Sequence, residues 1–252
     1  GTGGVKPLYS WWKRPLLKWA YRKADKVVAV SHHTKTELLK FLPDLDIQVI
    51  NHGVSFEKFE IRNPKSETNS KFRNLKPYIL SVGAWKPRKG FEYSIKAFEM
   101  AKAKFPNLKY VIVSNAPEEV KARNPQITFL ENLREEELIS LYQNAELFIL
   151  LPQDSNKDIE GFGLVFLEAA AAGLPVVAPK DTSAEDAVQD GRNGILVNPR
   201  DTKSASAAME KILSNPGLRS DMSKNSISFA RSMSWERVAQ DLVNLYGGIL
   251  IN

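Results

Sequence analysis

Leu147-Phe148-Ile149-Leu150-Leu151, Glu160-Gly161-Phe162-Gly163-Leu164-Val165-Phe166-Leu167-Glu168 and Pro175-Val176-Val177-Ala178 follow one another along the chain, and their reading decides the fold. The outer two are continuous apolar runs, the pattern of strands buried on both faces. Between them a pair of glycines opens an alanine-rich stretch, Ala169 to Ala172, that closes at Gly173. Alanine is the best helix former, glycine suits a helix C-terminus, and Pro175 cannot continue a helix. Strand, glycine turn, helix and strand make one βαβ unit, which implies a parallel sheet.

The same alternation continues outward. Tyr78-Ile79-Leu80-Ser81-Val82, Lys109-Tyr110-Val111-Ile112-Val113, Ile127-Thr128-Phe129-Leu130 and Gly194-Ile195-Leu196-Val197 are further strand candidates. Phe91, Ile95 and Phe98 recur at helical spacing, as do Leu138, Leu141 and Tyr142. Six strands separated by helices predict an α/β fold, a Rossmann-like parallel sheet with helices on both faces. From about Thr202 onward the pattern is helical only, and Trp235, Val238, Leu242 and Tyr246 form one apolar stripe of the last helix.

The first 60 residues differ. Trp11 to Lys23 reads as a helix and Val27-Val28-Ala29-Val30 as a strand. Thr34-Lys35-Thr36-Glu37 fits a capping box opening a helix toward Phe41, and Gln48-Val49-Ile50 is a second short strand. Two strands and two helices cannot cover both faces of a sheet, so this piece reads as the tail of a second α/β domain. The expected organisation is a remnant over residues 1–60 and a polar linker over 61–76. A Rossmann-like domain over 77–232 and a final helix over 233–252 follow. Gly1-Thr2-Gly3-Gly4, without an initiator methionine, reads as the interior of a longer chain.

Composition narrows the chemistry. The 252 residues are 43% hydrophobic and 25% charged, ordinary values for a globular protein. With no cysteine there is neither a disulfide framework nor thiolate chemistry, and with three histidines a zinc site is not expected. No apolar run approaches the roughly 20 residues that span a bilayer. A net charge of +6 suits an anionic partner. The expected location is cytoplasmic, with peripheral attachment to the inner face of a membrane as the alternative.

A glycine pair at the start of a helix offers backbone N–H groups and the positive end of the helix dipole to an anion. Glu160 precedes that helix and can reach a ligand over the turn. Glu168 lies within it, where an acceptor-only carboxylate suits a vicinal diol. Read blandly, the glycines make a tight turn and the glutamates are solvated. A second loop, Gly83-Ala84-Trp85-Lys86-Pro87-Arg88-Lys89-Gly90, follows a strand and precedes a helix, the place where such sheets bind ligands. Gly83 permits close backbone approach, and Arg88 and Lys89 offer fixed positive charge to a diphosphate.

The two loops together resemble family-4 glycosyltransferases of the GT-B fold. The resemblance rests on Glu160, Glu168 and the seven residues between, on Ala171-Ala172-Gly173-Leu174-Pro175, and on Lys89-Gly90. Ala24 to Ser31 resembles the family's late N-terminal strand, and Asn51-His52-Gly53-Val54-Ser55 its crossover loop, with Ser55 where aspartate is common. Glu185 to Gly194 resembles the segment after the donor site, with Thr182-Ser183 in place of paired glycines. The arginine that often follows the first glycine is replaced by Ala84, so Arg88 is the candidate for its role.

The resemblance implies transfer of a sugar from a nucleotide diphosphate, with retention of configuration, to a lipid or saccharide acceptor. The implied donor-binding set is Gly83, Arg88, Lys89, Leu133, Glu160, Gly161, Phe162, Gly163, Leu164, Val165 and Glu168. Glu160, Lys89 and Arg88 carry the catalytic roles. No metal or other cofactor is required, the nucleotide sugar being a co-substrate. GDP-mannose is preferred over UDP-sugars, because lipid and polysaccharide mannosyltransferases share the run from Glu160 to Ala171. The acceptor site belongs to the N-terminal half, so the missing half, or a partner supplying it, is expected to be needed for turnover.

The helix over Trp11 to Lys23 carries Trp11, Trp12 and Trp19 among Lys13, Arg14, Lys18, Arg22 and Lys23. It reads either as a membrane-surface helix or as a face packed on the missing domain. Trp12, Leu16, Trp19 and Lys23 do not read as one side of a clean two-faced helix. Among other functions, a non-catalytic nucleotide-sugar-binding module or the donor subunit of a split transferase remains open. Nucleic acid is not an expected partner, since the aromatics are not spaced as a stacking platform. A dinucleotide-dependent dehydrogenase lacks support because the first turn has no G-x-G-x-x-G spacing.

Overall fold

Short apolar runs become strands here, and the central ones are buried on both faces. The computed structural model describes residues 5–60, 72–154 and 158–250. The strands are β1 (Val27–Ala29), β2 (Ile47–Val49), β3 (Tyr78–Val82), β4 (Lys109–Val113), β5 (Ile127–Leu130), β6 (Phe148–Ile149), β7 (Val176–Pro179) and β8 (Gly194–Val197). The last six form one parallel sheet in the order β5-β4-β3-β6-β7-β8, as the alternating pattern predicts. β3 is buried at all five positions. Ser81 within it bonds the Tyr110 hydroxyl at 2.6 Å and donates to the carbonyl of Ile149, tying β3, β4 and β6 together.

The expected strand at 147–151 is regular only over Phe148–Ile149, although Leu147, Leu150 and Leu151 are equally buried. Its apolar run reflects burial, while the chain leaves the sheet early to enter the loop that reaches Glu160.

The helices are α1 (Arg14–Lys23), α2 (His32–Leu39), α3 (Glu57–Glu60), α4 (Phe91–Lys102), α5 (Glu118–Arg123), α6 (Glu135–Asn144), α7 (Leu164–Ala171), α8 (Thr202–Leu213), α9 (Pro216–Ser232) and α10 (Trp235–Leu250). α4 buries Phe91, Ile95 and Phe98 against the sheet, the face its spacing predicts. α2 starts earlier than expected. Ser31, extended at φ −156°, accepts from the Thr34 amide and caps it, so the box at Thr34 is already inside the helix. Glu37 turns instead to the Tyr9 hydroxyl (3.1 Å) and to Lys40.

β1 and β2 pair in parallel as a separate two-stranded sheet. With Val5, Leu8, Leu38 and Ile159 they form a small core of their own, against which Leu17 and Tyr21 of α1 pack. Most of the expected linker, residues 61–71, lies outside the described residues. The main chain crosses itself where the Val54 amide donates to Met233 O at 2.8 Å and Val54 bridges to Ser234.

Two apolar stripes are left partly uncovered. Trp12, Leu16 and Trp19 do share a side: they are exposed by 64%, 69% and 60%, away from Leu17 and Tyr21. The stripe of α10 is only partly covered, Trp235 and Tyr246 standing 42% and 58% exposed. Among the described residues, no helix is long and apolar enough to cross a membrane.

Candidate active site

The strand order places a topological switch point between β3 and β6, the position at which such sheets bind ligands. The loop after β3 carries residues 83–90, and the loop after β6 leads to Glu160. Gly90, at φ +66°, lets them touch: a Cβ there would stand 1.7 Å from the Leu151 carbonyl oxygen. The Gln153 amide donates to Arg88 O at 2.6 Å, a second main-chain stitch.

Where the two loops meet, the three residues assigned to catalysis come together. Arg88 Nη1 lies 2.5 Å and Lys89 Nζ 2.6 Å from the same oxygen of Glu160. Arg88 Nε also faces Asp158 Oδ2 at 3.3 Å. All three side chains are largely withdrawn from water, between 12% and 17% exposed. The ion pairs are therefore weakly screened, and removing one partner leaves a charge short of solvent. Gly83 adjoins this cluster: a Cβ there would stand 3.8 Å from Lys89 Cε.

The glycine turn lies differently from expectation. Gly161, Phe162 and Gly163 are all buried. Thr34 Oγ1 donates to Gly161 O at 3.1 Å. Phe162 is 2% exposed and meets the His52 ring edge-on at 5.5 Å, so its side chain is core rather than an open lining. Gly163 at φ +79° sets the start of α7, where Leu164 is exposed and Val165 half-buried.

Glu168 faces a second recess, lined by Gly53, Ser55, Lys58, Tyr142, Leu164 and Trp235 among others. The Tyr142 hydroxyl donates to Glu168 Oε2 at 2.9 Å. Burial raises the Glu168 pKa, and the tyrosine bond partly offsets it. Leu133 packs at the edge of the main core and does not line this recess. The two parts of the expected donor set therefore lie at opposite ends of one turn and helix. Arg88, Lys89 and Glu160 form the charged end, and Leu164 and Glu168 the half-apolar one.

Four partners have no signal in the sequence. Tyr142 reads as a core residue of α6, yet it holds Glu168. Asp154 pairs with His33 at 2.5 Å and accepts from the Glu160 amide at 3.2 Å. The proximity of Asp154 raises the His33 pKa against the opposing effect of burial. Asp158 joins Arg88, and Asp186 binds both His32 Nδ1 (2.7 Å) and Asn51 Nδ2 (2.9 Å). Among the described residues, no group of three or more His, Cys, Asp or Glu is gathered for a metal ion.

The arrangement can bind an anion between two cations, accept hydrogen bonds from a polyol at Glu168, and bring a carboxylate between these two places. Comparison with known proteins shows the family. The model of "Glycosyl transferases group 1" matches residues 63–229, and that of "Glycosyltransferase Family 4" matches residues 2–58. A GDP-mannose-dependent α-(1-6)-phosphatidylinositol monomannoside mannosyltransferase of Mycolicibacterium smegmatis is 26% identical over 226 residues, 82% of this chain and 58% of the relative. A D-inositol 3-phosphate glycosyltransferase of Corynebacterium urealyticum is 29% identical over 219 residues, 79% of this chain and 50% of the relative. The chain thus spans little more than half the length of these relatives. Anabaena HepE, solved in complex with UDP, superposes with a TM-score of 0.81 at 20% identity, covering 95% of this chain and 68% of that one. With the family model spanning well over half of its residues, the chain belongs to the glycosyl transferases group 1 family of GT-B glycosyltransferases.

Proposed function

We propose that the chain is the donor-binding part of a retaining glycosyltransferase that takes a sugar from a nucleotide diphosphate and passes it to a lipid or saccharide acceptor. The observation that carries this reading is the convergence of Arg88, Lys89 and Glu160 at the switch point, one helix away from Glu168. As the glycosidic bond breaks, negative charge grows on the leaving diphosphate. Lys89 and Arg88 stabilise that charge electrostatically in a site shielded from water, and no metal is needed for the step. Glu160 orients the donor sugar and favours positive charge at its anomeric carbon. Glu168 accepts hydrogen bonds from the ribose, with Tyr142 fixing its rotamer. The acceptor attacks on the face from which the diphosphate departs, giving retention.

GDP-mannose is the preferred donor in this reading, supported by the activity named for the Mycolicibacterium relative. HepE, crystallised with UDP, keeps a uridine nucleotide as the competing choice. The half-exposed stripe of α10 and the short span against the relatives favour a requirement for an N-terminal half, in the same chain or on a partner, before transfer is efficient. The reading places the reaction on the cytoplasmic side.

Calorimetric titration of UDP, GDP and their sugar conjugates, without metal, tests this. One nucleotide is expected to bind in the micromolar range. Lys89→Ala removes a charge-assisted contact and weakens binding by roughly 10- to 100-fold. Glu168→Ala weakens it by about tenfold. A folded chain that binds no nucleotide, or binds equally well in both variants, overturns the assignment.

A further inference from the structure

Glu160 belongs to neither a strand nor a helix. Its place therefore rests on side-chain contacts and on whatever holds its main chain. The carboxylate is gripped by Arg88 and Lys89. In the reading proposed above, a bound diphosphate draws both cations to itself. The carboxylate then loses two anchors at the stage where it has to orient the sugar. What stays fixed is the main chain.

Two adjacent residues of α2 hold that main chain from both sides. The Glu160 amide donates to Asp154 Oδ1 at 3.2 Å, and the other oxygen of the same carboxylate lies 2.5 Å from His33 Nε2. Thr34 Oγ1 donates to Gly161 O at 3.1 Å, and Ser31 Oγ aims that hydroxyl by donating to it at 2.9 Å. The N–H on one side of the Glu160-Gly161 pair and the C=O on the other are thus both tied to the first turn of a helix in the N-terminal piece. The His33 and Asp154 side chains are 15% and 27% exposed, so salt screens their attraction weakly. The hydrogen bond to Asp154 holds the His33 pKa above the ordinary imidazole value, against the effect of burial. The contact therefore favours the cationic imidazole that a carboxylate pairs with best.

We infer that His33 and Asp154 are positioning residues for Glu160. They set its main chain from the N-terminal piece, so that its carboxylate keeps its place at the donor sugar after Arg88 and Lys89 have turned to the diphosphate. Neither residue touches the donor in this role. The inference rests on the assignment of Glu160 to the sugar, and its test fails separately from that assignment.

The test is calorimetry on the 252-residue chain with GDP or UDP, whichever binds, and with the matching sugar conjugate. The readout is the ratio of the two dissociation constants. In Asp154→Ala the sugar conjugate should bind about tenfold more weakly. The bare nucleotide should bind as before or more tightly, because a displaced Glu160 competes less for the cations. His33→Leu should shift the ratio the same way by about three- to tenfold, and it carries the test if Asp154→Ala does not fold. His33→Gln can still donate to Asp154 and should restore most of the loss. His32→Ala cuts a side-chain contact of the same turn, to Asp186, and should leave the ratio unchanged. A general loosening of the fold would weaken both ligands together and lower the thermal midpoint. The inference is overturned if Asp154→Ala and His33→Leu keep the wild-type ratio while Glu160→Gln loses it. It is overturned likewise if they weaken both ligands equally, or if His33→Gln behaves as His33→Leu does. If Glu160→Gln itself keeps the wild-type ratio, or the folded chain binds no nucleotide, the assignment of Glu160 fails and the inference falls with it.

Discussion

At the scale of single residues, the free protein already satisfies the cations that the proposed donor needs. Arg88 and Lys89 grip one oxygen of Glu160. A diphosphate must take them from that carboxylate. Glu160→Gln keeps the shape and removes the competing charge, so UDP or GDP alone should bind at least about three- to tenfold more tightly to it, because two weakly screened ion pairs no longer compete for the cations. The sugar conjugate should lose its advantage over the bare nucleotide. Calorimetry on both ligands reads this, and weaker nucleotide binding in the variant would count against the contest. Glu160, Arg88 and Lys89 were legible because residue type, glycine spacing and position after a strand all point to them. Tyr142, Asp154 and Asp158 were not: each acts through a contact with a residue distant in sequence or through a loop whose path no periodicity encodes.

At the scale of elements, the parallel sheet was legible because strands buried on both faces have little choice but continuous apolar runs. Their ends were less so, as β6 shows. The two sides of α1 escaped notice because Trp11, next to Trp12, and Pro15, next to Leu16, blur a ridge that becomes plain once Leu17 and Tyr21 are seen on the core. Where elements join, one position is intolerant of change. Gly90 combines a left-handed φ of +66° with a Cβ position 1.7 Å from Leu151 O, and that oxygen is main chain and cannot swing away. Gly90→Ala should cost at least about 2–4 kcal/mol in urea unfolding, strain and overpacking together. A loss under about 1 kcal/mol, the strain of φ alone, would mean that the two loops are free to part.

At the scale of the whole molecule, the small N-terminal core and the larger sheet are joined along a seam of polar contacts: His33 to Asp154, Thr34 to Gly161, and His32 and Asn51 to Asp186. The His33 imidazole, faced by Asp154, Glu37 and Lys40, has a folded pKa above its unfolded value. Its contribution to stability is therefore complete below the unfolded pKa and disappears as pH rises through the folded one. Thermal unfolding should show midpoints falling with pH across and above the ordinary imidazole range, and His33→Gln should flatten that slope. An equal slope in the variant would assign the pH dependence elsewhere. The seam carries a mechanical consequence. Val54 is bonded to Met233 and bridged to Ser234, and Gly53 has no room for even a methyl group against the backbone of Ser234 and Trp235. The loop that leaves the N-terminal piece is thus riveted at one point to the chain entering α10. Residues near the rivet, Gly53, Ser55 and Trp235, also line the recess that Glu168 faces, so a ligand there would touch both of the segments that the rivet joins. The grip of His32 on Asp186 borders a separate depression lined by Thr36, Glu37 and Thr182, so the same carboxylate that clamps Asn51 beside the rivet also forms the wall of a second opening between the two pieces.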